Sequence, residues 1–476
     1  MFENTLKNIK RRWECEGGYR ELLTMAIPLI LTTSMWSIQH FVDRMFLTWY
    51  SPEAIAAAMP AGILNFTIIS LFMGTASYVN TFVAQYYGAT IYDKIGPIIW
   101  QGLYIAIIGG IIHLLLIPFA GTFFNLIGHQ QEVQRLEIIY FQVLCLGATP
   151  LIASSVMAGF FSGRGKTWII MWINIIATCI NICLNYCLIF GKLFFPELGV
   201  KGAAIATVLS SCFSFLSYII LLCRKSHNMR YHTLKGWMFN KILFRRLIHF
   251  GLPNGIQFFL DIAGFSAFIL LIGRLGTTPL AATNIAFNIN TLAFMPMLGF
   301  GITVSILVGQ YLGKKNPLLA ERSAYSGLHF TFLYMLCIAL AYVIVPEIFI
   351  SPFASQADPN RFEPIRKITL ILLRFLAIFS IFDTLNIIFA SAIKGAGDTR
   401  FVMYMIVIIS STVLIIPSYI AMTYFDAGIY AAWTIASLYA IILGFAFMFR
   451  FLGGKWKSMR VIEENLITSQ EILPEN

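Results

Sequence analysis

The chain has 476 residues, of which 58% are hydrophobic and only 12% are charged, and its mean hydropathy is +0.77. Soluble proteins carry about 25% charged residues, so this composition excludes a string of soluble domains and indicates a polytopic membrane protein. The net charge of +11 is explained by basic cytoplasmic loops. We therefore expect no nucleic-acid partner.

Twelve apolar runs are long enough to cross a bilayer, which takes about 20 residues in a helix. They lie at 21–48, 54–87, 97–118, 136–161, 168–190, 202–223, 247–273, 279–312, 322–346, 368–393, 401–424 and 429–451. The connections are short, and the longest, 224–246, has no room for an enzyme domain. The sequence therefore predicts an all-α protein with twelve transmembrane helices, flanked by tails at 1–20 and 453–476.

The distribution of Lys and Arg predicts the orientation. With the N-terminus in the cytoplasm, 24 basic residues fall in cytoplasmic segments and 7 in outer loops. This asymmetry follows the positive-inside rule. We therefore expect a multi-pass protein of the plasma (inner) membrane with both termini in the cytoplasm.

An internal repeat organises the chain. Residues 19–89 align with 244–314 without a gap, at an offset of 225 positions. Identical pairs include Arg20 with Arg245, Pro28 with Pro253, Asn65 with Asn290, Gln85 with Gln310, and Gly88 with Gly313. Two like halves predict two six-helix bundles, at 21–223 and 247–452, joined by a cytoplasmic linker at 224–246. Because six is even, the bundles are parallel repeats, and rocking them would open a cleft to alternate sides.

Several motifs resemble those of the multidrug and toxic compound extrusion (MATE) family. They are Val42-Asp43, the block GLPNGIQFFLD at 251–261, GQYLG at 309–313, and Asp383 followed by KGAGDT at 394–399. The acids in spans 7 and 10 look most similar to the NorM-like branch. The resemblance implies a MATE-like fold and a secondary antiporter coupled to Na⁺ or H⁺. It implies amphipathic organic cations, including drugs, as the exported compounds.

Asp43 is the first of three acids within predicted spans. Such acids usually face a cavity and mark ion or substrate pathways. Trp36, Gln39 and His40 share its helix face, and the direction of span 5 places Asn181 and Asn185 at a similar depth. Carboxylate and amide oxygens can bind Na⁺, and a carboxylate shielded from water can hold a proton. The family resemblance places coupling residues at Asp43, Asn181 and Asn185, although many members have Asp at the last position. Alternatively, the two asparagines only join neighbouring helices.

Asp261 and Asp383 fall near the middle of spans 7 and 10. Two carboxylates close together would favour a hard cation or one shared proton, so we expect a Na⁺ or H⁺ site in the second bundle. The NorM-like resemblance carries an acid at both positions, often Glu at the first. Where some relatives have Tyr one turn before Asp383, this chain has Phe379. The alternative is a buried polar pair with no role in transport.

Arg44 and Pro28 are two further candidate residues, and the sequence lacks common enzyme and metal-binding motifs. Arg44 either extends to the outer interface or supplies a cavity cation that would favour anionic cargo, such as a lipid-linked saccharide moved by a flippase. Pro28 is a possible hinge because it removes a helical hydrogen bond. No Walker, H-E-x-x-H or C-x-x-C motif occurs, so we expect no enzyme, no cofactor and no structural metal. The remaining expectations are small organic substrates, contact with membrane lipid and a monomeric state.

Overall fold

The computed structural model describes residues 10–354 and 359–463, and every regular element within them is helical. Residues 1–9 and 464–476, which belong to the predicted tails, lie outside this part. Residues 10–14 are helical and precede the numbered helices. The next nine helices are α1 (Tyr19–Tyr50), α2 (Pro52–Ser77), α3 (Val79–Gly88), α4 (Ile95–Leu116), α5 (Ala120–Ile127), α6 (Gln131–Leu146), α7 (Ala148–Ser162), α8 (Thr167–Phe190) and α9 (Gly199–Leu222).

Nine further helices follow along the chain. They are α10 (Lys225–Tyr231), α11 (Lys241–Gly273), α12 (Thr277–Gly313), α13 (Pro317–Ile344), α14 (Pro346–Ala354), α15 (Pro359–Ala396), α16 (Thr399–Ile409), α17 (Ile416–Tyr424) and α18 (Ile429–Leu452). Eleven helical segments of the described chain are long and apolar enough to cross a membrane, and a bent pair makes twelve. The predicted all-α fold with twelve spans is confirmed.

The bent pair consists of α6 and α7, which meet at an angle of 44°. Pro150 lies in the first turn of α7 and has no N–H, so one backbone carbonyl at the end of α6 loses its helical partner. Gly147 stands at the break, and a Cβ there would lie 2.7 Å from Val208 Cγ2. The close approach of α9 therefore requires glycine at this position.

Another proline accompanies a change of helix type. Residues Ser410–Ile415 form a π-helical turn between α16 and α17. Pro417 follows within the first two residues of α17 and cannot donate to the carbonyl of Val413. A π-turn accommodates this by shifting the hydrogen-bond register by one residue. The predicted span 401–424 is thus one helix with a local irregularity.

The chain divides into two compact units. Among the described residues, unit 1 takes 10–30, Leu260–Val308 and 316–459 without the gap at 355–358, and unit 2 takes Leu31–Phe259, Gly309–Lys315 and 460–463. The division falls within α1, α11 and α12 rather than in the linker. The bundles 21–223 and 247–452 therefore stay a prediction about membrane topology.

Each unit has its own apolar core. In unit 1, helices α11, α12, α15 and α18 surround Trp433, which stacks on Phe287 with ring centroids 4.9 Å apart. In unit 2, α1, α2, α6, α8 and α9 bury a cluster that includes Phe46 and Phe141. These cores fix the helices that carry the intramembrane acids.

Within unit 2, the ends of α3 and α12 meet through the glycines of the repeat. A Cβ on Gly88 would lie 2.0 Å from the Gln310 carbonyl oxygen, and one on Gly313 would lie 2.2 Å from that of Gln85. Gln310 Nε2 also donates to the Gly163 carbonyl at 2.8 Å. The repeated Gln and Gly residues therefore form a reciprocal contact in which side chains on the glycines have no room.

The start of the predicted C-terminal tail is packed rather than loose. Trp456 is buried in unit 1, with its ring stacked 4.8 Å from Phe451 and its indole N–H donating to the Phe451 carbonyl. In unit 2, Val461 and Ile462 are fully buried. Arg246 donates 2.8 Å hydrogen bonds to both of their carbonyl oxygens.

Two more contacts hold the same segment in unit 2. The Val461 N–H donates to Gln85 Oε1 at 2.8 Å, so the side chain of the repeated glutamine holds this segment. Glu463 accepts a 2.8 Å bond from the Tyr86 hydroxyl and lies 3.6 Å from an Arg246 nitrogen. Residues 461–463 are thus a structural part of unit 2.

Candidate functional site

The first candidate site lies in unit 2, where α1 meets α8. Asp43 on α1 is only 9% exposed, and Asn181 and Asn185, one turn apart on α8, are fully buried. Asn185 Nδ2 donates to Asp43 Oδ1 and, at 3.0 Å, to Asn181 Oδ1. The structure therefore brings together the three residues that the sequence predicted to meet.

The amide groups of this site have unused polar atoms. Within the described residues, Asn181 Nδ2 and Asn185 Oδ1 have no hydrogen-bond partner although both atoms are buried. Buried polar atoms are nearly always satisfied. An amide carries an acceptor and a donor on opposite arms, so a half-turn of the Asn185 amide would direct its oxygen toward Asp43 and Asn181. Three oxygens would then converge, as a hard cation requires.

The other predicted residues of α1 lie on a more open part of the same helix. Trp36 and His40 are exposed and Gln39 is half-buried, whereas Asp43 is covered. Trp36 packs edge-on against Phe66 with ring centroids 6.1 Å apart, and Phe66 packs against Phe258 at 5.9 Å. An aromatic series thus begins two helical turns before the buried carboxylate.

Arg44 and Tyr140 complete the surroundings of Asp43. Arg44 is exposed, and its charge acts on Asp43 and on His40. The Tyr140 side chain is buried and interacts electrostatically with both Asp43 and Arg44. No sequence pattern indicated Tyr140, because α6 contributes it from a position with no special spacing.

The second candidate site lies in unit 1. Asp383 on α15 is buried and accepts a 2.8 Å hydrogen bond from Asn386 Nδ2. Asp261 on α11 is exposed. The charges of both acids act on the Tyr439 hydroxyl of α18. The two predicted acids thus share a neighbour, and Asn386 and Tyr439 are additional polar residues.

Lys394 is a further residue of this site that was not predicted from the sequence. It lies at the end of α15, eleven residues after Asp383, and its charge interacts with Asp261. Eleven residues are close to three helical turns, so Lys394 and Asp383 lie on nearly the same face of α15. This spacing was readable from the sequence, but the position near a predicted cytoplasmic end suggested an ordinary loop cation.

The donor set limits what the second site can hold. Within the described residues, no group of three or more His, Cys, Asp or Glu side chains is arranged to bind a metal ion. A cation at Asp261 or Asp383 would therefore need amide, hydroxyl or backbone oxygens, such as those of Asn386 and Tyr439. That donor set suits Na⁺ or a proton better than a transition metal.

Pro28 is buried in the continuous helix α1, two residues before the chain passes from unit 1 to unit 2. Its repeat counterpart, Pro253, lies within α11, which also crosses between the units. Both prolines therefore lie close to the points at which α1 and α11 pass from one unit to the other.

Comparisons with known proteins agree with these features. The MatE family model matches residues 28–187 and 253–420. The chain is 26% identical over 468 residues to a probable multidrug resistance protein NorM of Thermotoga maritima, covering 97% of this chain and 98% of that protein. It is 26% identical over 404 residues to a probable multidrug resistance protein NorM of Synechocystis, covering 84% and 86%.

Solved structures show the same fold. An outward-facing multidrug resistance MATE family transporter of the MOP superfamily matches with a TM-score of 0.85 at 19% identity, covering 94% of this chain and 98% of that one. The eukaryotic MATE transporter AtDTX14 matches with a TM-score of 0.81 at 19% identity, covering 92% and 96%. The apolar helices, the family match and the relatives are those of a polytopic membrane transporter. The family model covers more than half of the chain, at corresponding places in both halves, and the chain belongs to the MatE family.

Proposed function

We propose that this protein is a secondary antiporter that exports amphipathic organic cations, including drugs, in exchange for Na⁺ or H⁺. The observation that carries the proposal is the buried Asp43 carboxylate, which receives an amide hydrogen bond from Asn185 inside the membrane span. A buried carboxylate is costly unless its charge is compensated. Asp43 is therefore suited to bind a cation or a proton and to release it when the environment changes.

The two asparagines allow either coupling ion. With the Asn185 amide as a donor, the site compensates an ionised carboxylate; with the amide turned, it offers oxygens to Na⁺. A proton on Asp43 would neutralise the charge without help from the amides. Because Asn181 and Asn185 do not titrate, the Asp43 site has a single acid to load, so one coupling charge per cycle is the simplest stoichiometry for this site.

The acids of unit 1 would supply a second coupling position. Lys394 interacts electrostatically with Asp261, so this acid already has a basic neighbour. An incoming Na⁺ or proton would then act chiefly on Asp383, which is buried and has only the Asn386 amide as its hydrogen-bond donor in the described chain. We propose that Lys394 adjusts how strongly the site binds a cation.

The aromatic series supports cationic cargo. Trp36, Phe66 and Phe258 offer apolar ring surfaces close to an acid-bearing helix face. Such surfaces bind the body of an amphipathic molecule, and ring faces attract its positive charge. Names of the similar proteins, which describe multidrug resistance, agree with this substrate class. Alternating access, with Pro28 as a hinge in α1, would carry the cargo across.

The test is efflux of a fluorescent organic cation from proteoliposomes on which a Na⁺ gradient and a pH gradient are imposed separately. We expect transport on at least one gradient and its loss in Asp43→Asn, because the amide has neither the negative charge that attracts Na⁺ nor a proton that it can exchange. Asp383→Asn, measured in the same way, tests the second position.

Asp93→Asn is the matched control, because Asp93 is an exposed acid outside the long helices of the same unit. It should leave gradient-driven transport at the level of the unmodified protein. Coupled transport that survives in Asp43→Asn, at equal protein amount in the vesicles, would contradict the proposed role of Asp43.

Arg44 favours one alternative function. It is an exposed cation next to Asp43, and it would suit a flippase for an anionic amphiphile such as a lipid-linked saccharide. The two functions predict opposite effects of Arg44→Gln: unchanged or stronger export of organic cations for the antiporter, and loss of anion movement for the flippase. We propose the antiporter because acids outnumber bases among the buried site residues of unit 2.

We propose further that the protein works as a monomer in the plasma (inner) membrane, with both termini in the cytoplasm. The asymmetry of Lys and Arg supports this orientation. Labelling of cysteines introduced in the linker and in the loop at 192–197 would test the orientation. A membrane-impermeant reagent added from outside should label the loop at 192–197 but not the linker.

A further inference from the structure

The linker between α9 and α11 is folded, and it combines exposed apolar side chains with basic ones. Trp237, Met238 and Phe239 are consecutive and are 61%, 70% and 59% exposed. Lys235 precedes this triplet and Lys241 follows it, both exposed. An exposed patch of large apolar side chains in the neighbourhood of several bases marks an interaction surface.

The linker is attached to α4 through its backbone. Trp100 Nε1 donates to the Thr233 carbonyl at 2.7 Å, and the Tyr104 hydroxyl donates to the carbonyl of Trp237. Gln101 Nε2 donates to the Met238 carbonyl at 3.4 Å.

The opposite end of the same glutamine is also used. Gln101 Oε1 accepts from the Asn240 N–H at 3.3 Å, and the Gln101 side chain is fully buried. One buried side chain thus satisfies two backbone groups of the linker. Gly236 permits this approach, since a Cβ there would lie 2.6 Å from Pro97 N.

These contacts place the triplet beside a transmembrane helix rather than beyond its end. The apolar run of α4 begins near Pro97, and Tyr104 lies seven residues further, which is about 10 Å along the helix. Backbone groups next to lipid must find partners within the protein, and side chains of α4 provide them here. The Phe239 ring also packs against Tyr104 and Phe244, but all three side chains of the triplet are more than half exposed. At this depth their exposed parts face the acyl chains and the glycerol region of the inner leaflet.

The charge of the linker indicates which lipids it contacts. No Asp or Glu occurs between Glu197 and Asp261, whereas the linker at 224–246 carries seven Lys and Arg residues. Arg246 pairs with Glu463. In the part of the chain that the structure describes, Lys235, Lys241 and Arg245 are exposed and form no ion pair. Unpaired bases beside a membrane-inserted triplet complement anionic headgroups.

We propose that the linker is an interfacial anchor in which Trp237, Met238 and Phe239 insert into the inner leaflet and Lys235, Lys241 and Arg245 bind anionic phospholipid headgroups. The anchor fixes the linker to the bilayer beside α4. Lipid fits better than a protein partner, because the exposed rings lie level with the interior of a transmembrane helix, where the surrounding phase is the bilayer.

The test uses the fluorescence of Trp237 in reconstituted bilayers of equimolar phosphatidylglycerol and phosphatidylcholine. Bromine is placed on the acyl chains of one lipid or the other, and the signal of the Trp237→Phe variant is subtracted to isolate Trp237 from the other tryptophans. We expect both brominated lipids to quench Trp237 and brominated phosphatidylglycerol to quench it more. Aqueous iodide should have little effect.

The variant Lys235→Gln/Lys241→Gln/Arg245→Gln should lose the preference for phosphatidylglycerol while keeping the quenching. Each base near an anionic surface contributes about a fivefold attraction, so removing three weakens headgroup binding on the order of 100-fold. The matched control is Arg135→Gln/Lys192→Gln/Lys201→Gln, which removes three exposed bases from the predicted outer loops. It should keep the preference.

Three results would overturn the proposal: quenching by iodide, protection from both quenchers, or equal quenching by the two lipids in the unmodified protein. They would indicate a linker in water, a linker covered by protein such as a second copy, and contact without headgroup selectivity, respectively. All substituted side chains are exposed, so unchanged thermal unfolding of the variants checks their fold. The readout does not depend on transport, and its failure would leave the antiporter proposal intact.

Discussion

The hydrogen bond between Asn185 and Asp43 makes a quantitative prediction that distinguishes an ionised site from a neutral one. The perturbation is a double-mutant cycle with Asn185→Leu, Asp43→Leu and the combination. Leucine has the same branched heavy-atom skeleton as asparagine and aspartate but neither a donor nor an acceptor. The cycle isolates the energy that the two residues share, because effects of each change on the rest of the protein cancel.

The expected coupling follows from the state of the carboxylate. Hydrogen bonds between neutral side chains in membrane proteins average about 0.6 kcal/mol and reach about 1.7 kcal/mol. A bond to a charged acceptor contributes about 1.5–3 kcal/mol to stability. Asn185 is fully buried and Asp43 nearly so, which limits competition from water. We therefore expect a coupling of about 1.5–2 kcal/mol at neutral pH.

The assay is reversible unfolding in mixed detergent micelles, with helicity as the signal. The control cycle uses Asn174→Leu and Tyr218→Phe, because Asn174 also lies on α8 and donates a 3.5 Å bond to the neutral Tyr218 hydroxyl. This cycle should give about 0.6 kcal/mol. An Asp43–Asn185 coupling no larger than that of the control would refute the reasoning that the amide compensates an ionised carboxylate.

Three further predictions concern other parts of the chain. Gly88→Ala should destabilise the protein by about 1–3 kcal/mol in the same unfolding assay, because its Cβ meets a backbone carbonyl, whereas Gly121→Ala, with nothing within 4 Å, should not; equal effects would contradict the close contact. Lys394→Met should lower the half-saturating concentration of the coupling cation in proteoliposome transport, since Asp261 loses its basic neighbour. An unchanged concentration would exclude an effect of Lys394 on cation binding. Arg246→Gln should expose the segment 461–463 to protease, because the carbonyls of Val461 and Ile462 lose their hydrogen-bond donor. Protease resistance equal to that of the unmodified protein would show that the segment is held in another way.

The transmembrane helices were predictable because the bilayer imposes a length and a composition on each of them. The first acidic site was predictable for a related reason. Once span directions are known, the depth of Asp43 on α1 and of Asn181 and Asn185 on α8 follows from the rise of the helix. Their lateral neighbourhood does not follow from depth, and the structure supplies it.

Features that depend on lateral contacts were beyond the sequence. Lys394 was assigned to a cytoplasmic helix end, yet its long side chain brings charge to Asp261 on another helix. Tyr140 approaches Asp43 from α6 with no sequence spacing that relates them. The linker looked like a short basic connection, because the hydrogen bonds from Gln101 and Tyr104 that fold it against α4 connect positions more than 130 residues apart.

The repeat preserves packing more closely than chemistry. At the offset of 225, Gln85 and Gly88 meet their counterparts Gln310 and Gly313 in a reciprocal contact, so the duplicated residues are those that bring helix ends together. The acids are not duplicated. Asp43 corresponds to Phe268, which is buried in the core of unit 1, and Asp261 corresponds to Trp36.

The first helix of each half therefore carries an acid, but the two positions differ by seven residues in the register of the repeat. Seven residues correspond to about 10 Å along a helix. The surroundings differ as well: Asp43 has the Asn185 amide as its donor and the charge of the exposed Arg44 beside it, whereas Asp261 interacts with Lys394. Two sites at different helical positions and with different counter-charges would load cations with different affinities. A duplicated scaffold can thus perform an asymmetric task, with one half coupled more tightly to the ion than the other.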